Sequence, residues 1–338
     1  MPKEVTHWLV AQRAADQFGG PLGEVYGAAI RERWPAMLLA AVFHDALYYL
    51  RDEAPAPVRE LPQRMHGQRG EDTHELLRLQ IEHIGRAPDQ AQSRGRIAAF
   101  VGLASHIATD ARMHPAVYYL TGRYDDPDPI KRTKAVQRHR LMETIMDIAA
   151  CQGRALVKRH SLSWLLDQCG GAKPDSLAAL FPLESLAKGI GAPLSDLGQA
   201  LASSFSLFAT LQGWFKNDFT AGALYGIKGL LPNAAKEILA LFYAPQLDAD
   251  SKAYAKPIPY AHPVTGESST FALKEAMESA AKDTLALCRE FAPAVQAAAN
   301  KSAPSIPTLI GPSLVTGLPN AGADKLRFFA SPPLYAGF

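Results

Sequence analysis

The sequence predicts an all-α protein. Over the first 160 residues apolar side chains recur with the 3.6-residue period of amphipathic helices, glycine and proline fall between those stretches, and no convincing strand run or internal repeat occurs. Val5, Trp8, Leu9 and Gln12 open the first helix, with Thr6 near its start, and Phe18-Gly19-Gly20 ends it. Ala36–Leu50 reads as a buried helix, and Pro55, Pro57 and Pro62 mark an extended connection. Glu71–Ile84 returns to helical spacing, and Gly95–Met113 follows, closed by Pro115. The turn DDPDP at 125–129 precedes a long amphipathic helix from Ile130 to about Lys158.

Beyond residue 160 the texture changes. Leu162–Leu166, Leu177–Leu186, Leu197–Phe215 and Ala234–Phe242 give shorter helical patterns. KPIPYAHPVTGE (256–267) reads as a loop, Phe271–Ala298 as a last long Ala-rich helix, and the Gly/Pro-containing tail from Pro304 to Phe338 as a surface wrap. The expected organisation is a helical domain over 1–160 and a helical, loop-rich region over 161–338 packing on it.

A chain of 338 residues can bury a substantial core, and 48% hydrophobic with 20% charged residues describes a globular protein. A net charge of +2, without a dense Lys/Arg run, gives no strong nucleic-acid signal. Three scattered cysteines, Cys151, Cys169 and Cys288, are too few for a disulfide framework or a thiolate zinc site, and fit a reducing compartment. The N-terminus lacks a secretory pattern, and Ala36–Leu50 is too short, and interrupted by His44-Asp45, to span a bilayer. The expectation is a cytoplasmic protein without a transmembrane segment.

The polar residues are less ordinary. In SHIATDARMH, His106, Asp110 and His114 recur every fourth residue, so on a helix they share an arc of roughly 80°. His139 and Glu143 are also four apart, and His7, His44, Asp45 and His66 lie in or beside apolar segments. A lone histidine on an apolar face is ordinarily a hydrogen-bonded core residue, and His74, His83 and His160 read as exposed or capping residues. An isolated His139/Glu143 pair reads as a surface interaction. Burying His106, Asp110 and His114 together without a partner would cost on the order of several kcal/mol, which a metal would remove. Imidazole and carboxylate are the donors zinc takes when thiolates are absent. Arg112, Arg138 and Arg140 read as solvated helix residues.

In order along the chain, THWLVAQRA, FHDALYY, MHG, GLASHIATDARMHP and RHRLMETIMD resemble the zinc-dependent phospholipase C family, a relative of the single-strand-specific zinc nucleases. The resemblance covers about the first 150 residues. It implies an all-helical domain holding two or three zinc ions in a cleft. Carried over, it makes Asp45, His66, His106 and Asp110 ligands of one zinc, and His114, His139 and Glu143 ligands of a second. His7 with a bridging Asp110 belongs to a third. It further implies a zinc-dependent phosphodiester hydrolase, with Asp45 orienting or deprotonating the attacking water and a phosphodiester, phospholipid among the candidates, as substrate. Ala46 follows Asp45 where the secreted enzymes carry an aromatic that contacts choline, so no choline preference is implied. Three other readings stay open: a single-strand nuclease, an HD-type phosphohydrolase built on His44-Asp45, and a non-catalytic zinc-binding helical protein.

Overall fold

The computed structural model describes residues 3–335; Met1, Pro2 and residues 336–338, with which the two expected regions begin and end, lie outside the described residues. The architecture is all-α apart from one short hairpin. Its longer helices are α1 (Glu4–Ala15), α2 (Ala28–Ala40), α3 (Phe43–Ala46), α4 (Glu75–Gly85), α5 (Gln90–Thr121), α6 (Pro129–Ala150), α7 (Leu194–Phe215) and α8 (Leu273–Ala299). The four-residue α3 is included for the side chains it carries, and other short helices are named by their residues.

The central element is α5, capped by Asp89, whose carboxylate accepts from Gln92 N at 2.8 Å. At 32 residues it extends roughly 48 Å, and both its faces are buried. Gly102 lets α2 approach closely, because a Cβ there would sit 2.8 Å from Ala40 Cβ. α8 packs on α5, α1 and α4, and buries Met277, Cys288, Phe291 and Val295 in the same core as Val5, Trp8 and Phe100. No helix among the described residues is long and apolar enough to cross a membrane.

The start of α1 is capped from another helix. Asp147, near the end of α6, accepts from Val5 N (3.2 Å), Thr6 N (2.8 Å), Thr6 Oγ1 (2.6 Å) and Tyr243 OH (2.7 Å). A carboxylate at the positive end of α1 satisfies first-turn donors that Lys3 leaves without a side-chain cap. The bond also locks α1 against α6.

Four expectations are corrected. The 36–50 segment is not one helix. α2 stops at Ala40, Val42 leaves helical geometry (φ −122°, ψ 14°), and α3 and a 3₁₀ turn at Leu47–Tyr49 follow. The carbonyl of Ala41 turns to the His106 ring instead of continuing the ladder. α5 does not end at Pro115 but runs through it to Thr121, stopping at Gly122 with φ +98°. The carbonyl that the proline leaves without its usual donor is that of Ala111, and Gly317 of the tail packs directly against it. The KPIPYAHPVTGE loop contains half of an antiparallel hairpin, β1 (Ile258–Ala261) with β2 (Ser268–Phe271), in the register Ile258↔Phe271. Four-residue strands burying chiefly Phe271 are too short to print an alternation, and three prolines mask them further.

Nor is the tail a mere surface wrap. Ser313, Leu314 and Thr316 are fully buried, with Val315 nearly so, and the segment docks through Leu314 N to His66 O (2.9 Å) and Ala323 N to Gln68 O (2.7 Å).

Candidate metal centre

The local breaks in the helices supply the site. α1 presents His7, the kink after α2 presents His44 and Asp45, and His66 ends the short helix Leu61–Met65. α5 presents His106, Asp110 and His114, and α6 presents His139 and Glu143. All are buried.

Three of the imidazoles are oriented by main-chain carbonyls. His66 Nδ1 meets Pro62 O at 2.6 Å, His106 Nδ1 meets Ala41 O at 2.8 Å, and His114 Nδ1 meets Leu314 O. A carbonyl oxygen can only accept, so each Nδ1 carries a proton, and in its neutral form each ring turns an Nε2 lone pair inward.

Those lone pairs face carboxylate oxygens. Asp110 Oδ2 lies 3.1 Å from His106 Nε2 and 3.8 Å from His66 Nε2, and Asp45 Oδ1 lies 3.7 Å from each. The opposite oxygens face elsewhere. Asp110 Oδ1 is 3.3 Å from His7 Nε2 and 3.6 Å from His114 Nε2, while Asp45 Oδ2 is 3.6 Å from His7 Nε2. His139 Nε2 is 2.9 Å from Glu143 Oε1, which is 3.8 Å from His114 Nε2. The ligand-capable atoms converge in two groups, His7/Asp45/His106/Asp110 and His114/His139/Glu143, with His66 beside the first.

Acceptor thus meets acceptor. Asp45 Oδ1, both oxygens of Asp110, and Nε2 of His66, His106 and His114 are buried without a hydrogen-bond partner. Buried polar atoms are rarely left so, and this many in one place fit a cation held between them. The donors are nitrogen and oxygen only, and Cys151, Cys169 and Cys288 take no part in either group. Such a set fits zinc.

Residues 6–172 match the family model described as zinc dependent phospholipase C. This part of the chain belongs to that family. No curated protein and no solved structure matches the chain significantly. The phospholipase C-family segment contains all nine residues from His7 to Glu143 named above, and Leu314 and the tail lie beyond it.

The electrostatics of this phospholipase C-family site hold most groups in their metal-ready forms. Burial pushes His7 down, His139 well below its ordinary range, and His114 down to about 3. Burial raises Asp45 and Asp110, but the surrounding imidazoles outweigh it and keep both carboxyls below the usual range, Asp110 by far. For His106 burial acts downward, yet Asp110 and Asp45 outweigh it and lift the ring to about 8. Without a metal, the carboxylate pair draws in a proton there.

A cavity of about 200 Å³ leads to Asp45, His139 and Glu143, walled by Tyr48, Tyr118 and Tyr124 among others. Gln68 Nε2 reaches Tyr48 OH at 3.3 Å. Arg140 also lines this cavity and donates to Glu237 O at 3.1 Å; Arg138 Nε donates to Thr121 O at 2.7 Å, and Arg112 pairs with Asp283 near the surface. Arg138 and Arg140 are therefore tied to the fold rather than freely solvated. His74, read as exposed or capping, is buried with Nδ1 on Leu309 O at 3.1 Å.

Two participants escaped the ligand set read from sequence. His44 stacks on His106 (4.3 Å, 6° between planes) opposite His7 (4.2 Å, 9°), so the His106 ring is sandwiched. The only signal for His44 was its place beside Asp45. Leu314 acts through its main chain, for which a sequence carries no signal.

Proposed function

We propose that the chain is a zinc-dependent phosphodiester hydrolase of phospholipase C type. The observation that carries this reading is the division of Asp110: one carboxylate oxygen toward His66 and His106, the other toward His7 and His114. A carboxylate disposed in this way could be shared between ions. Asp45, His66, His106 and Asp110 would hold one zinc, His114, His139 and Glu143 a second, and His7 with Asp110 would belong to a third. The residues at 1–160 form the zinc domain and those at 161–338 the region packed on it.

Bound zinc would lower the pKa of a coordinated water toward about 7 and offset the charge that builds on phosphoryl oxygens. The residues around it orient the reaction. Asp45 lines the cavity, where its carboxylate can take the proton of a water attacking phosphorus in line with the leaving alkoxide. The three tyrosines narrow the approach, and a cavity of about 200 Å³ suits a phosphodiester head group, with any acyl chains outside. The unpaired thiols of Cys151, Cys169 and Cys288 support a cytoplasmic setting.

An HD-type phosphohydrolase would coordinate metal through His44 and Asp45 together. His44 instead lies flat against His106, and its nitrogens are not among the converging ligand atoms. The rim tyrosines suit base stacking and keep the nuclease reading in contention.

The deciding experiment compares zinc-dependent cleavage of mixed-head-group phospholipid vesicles and single-stranded DNA. The proposal expects hydrolysis on the glycerol side of the lipid phosphate. Cleavage of DNA alone would replace it with the nuclease. Full activity in Glu143→Ala would favour the HD-type enzyme, which has no use for that residue.

A further inference from the structure

The segment that follows α8 lies outside the family match, yet it touches two candidate ligands through one residue. Leu314 N donates to His66 O at 2.9 Å, and Leu314 O accepts from His114 Nδ1. His66 ends a short helix and has no long helix to hold it, whereas His114 sits within α5. Leu314 ties the turn to the helix.

The segment is itself held rigidly. Gly317 N donates to Ser313 O (2.8 Å) and Ser313 N to Leu318 O (3.0 Å), closing a tight loop around Leu314. Thr316 Oγ1 donates to Ala321 O at 2.5 Å, and Thr316 O meets His262 Nε2 of the hairpin connection at 3.1 Å. Gly317 has φ +71°, and a Cβ there would come within 2.5 Å of Ala111 O. The close approach of the loop to α5, one turn before Pro115, therefore depends on glycine.

We propose that Leu314 is a positioning residue for the metal centre: its main chain clamps the His66 turn to His114, fixing the His114 tautomer and the spacing between the two ligand groups. The inference rests on the zinc reading above. Carbonyl acceptors behind metal-binding histidines are worth about 10–100-fold in affinity. Here that partner comes from 200 residues away, so the C-terminal region is part of the site.

The test uses the full chain with Leu314→Pro, which deletes the donor to His66, and Gly317→Ala, which lifts the loop from α5. Leu334→Pro, which deletes the tail's distant bond to Leu120 O, is the control. Zinc affinity, Co²⁺ absorption and the ¹⁵N-detected His114 Nδ1–H signal are measured on variants that keep wild-type helical circular dichroism. We expect affinity to fall about 10–100-fold with altered Co²⁺ bands in the first two variants, and the control to match wild type. Affinities within twofold of wild type in the first two would overturn the clamp. Should Leu314→Pro fail to fold, Gly317→Ala alone decides. If the wild type takes up no zinc, the zinc reading fails, and the clamp is judged on His114: an Nδ1–H protected in wild type and lost in Gly317→Ala supports it, and equal exchange in both overturns it.

Discussion

His106 and Asp110, one turn apart on α5, meet through Nε2 and Oδ2 at 3.1 Å, while the other oxygen of Asp110 turns away toward His7 at 3.3 Å. The same carboxylate thus serves both sides of the centre. Asp110→Asn keeps the shape and removes the shared charge. Zinc uptake should fall more than about 100-fold, beyond the 10–100-fold typical of residues behind the ligands. Isothermal titration and metal analysis check it; near-normal uptake would show that Asp110 is not shared.

Asp45 faces both the converging ligand atoms and the tyrosine-walled cavity. Asp45→Asn should lower kcat by about 10²–10⁴ with little change in KM, the range expected on losing a general base. Steady-state kinetics on zinc-loaded protein read the split. A rise in KM alone would make Asp45 a binding residue.

Asp147 holds α1, and with it His7, against α6. In Asp147→Ala four donors, Val5 N, Thr6 N, Thr6 Oγ1 and Tyr243 OH, lose their buried acceptor. The cost should be about 2–4 kcal/mol, measured by urea unfolding of the metal-free protein. A change below about 1 kcal/mol would mean α1 is docked by apolar packing alone.

A histidine away from the centre provides a pH test of the packing between α4 and the 174–180 helix. Burial lowers His83 from the ordinary 6.5 of a histidine to about 4, and its Nε2 is buried without a partner. A depressed folded-state pKa gives stability that is present above pH 6.5 and is lost as pH falls through 4. The loss should approach about 2–3 kcal/mol at the acid end. His83→Gln should flatten this branch of the stability–pH curve in chelator. An unchanged slope would place His83 in water.

The helical class and two of the ligand strips, His106/Asp110/His114 and His139/Glu143, were legible because each depends on local spacing, whereas Asp45, His66 and His7 entered through the family resemblance. His106, Asp110 and His114 recur at one-turn intervals, and that periodicity survives folding intact. What sequence could not supply came from main-chain geometry. The kink at Ala41–Val42 follows from a carbonyl captured by His106, 65 residues away. The passage of α5 through Pro115 is matched by the approach of Gly317, and the hairpin at 258–271 is too short for a pattern. His44 and Leu314 join the centre by ring stacking and by peptide groups, which leave no residue-type signature.

The central claim is a polynuclear zinc centre built around Asp110. Its most direct test is a crystal of zinc-loaded protein with anomalous scattering measured on both sides of the zinc absorption edge, alongside metal analysis of the same preparation. The account predicts two or three zinc peaks, with Asp110 bound to more than one. Less than one zinc per chain after loading, or a single peak that leaves His114, His139 and Glu143 without metal, would contradict it.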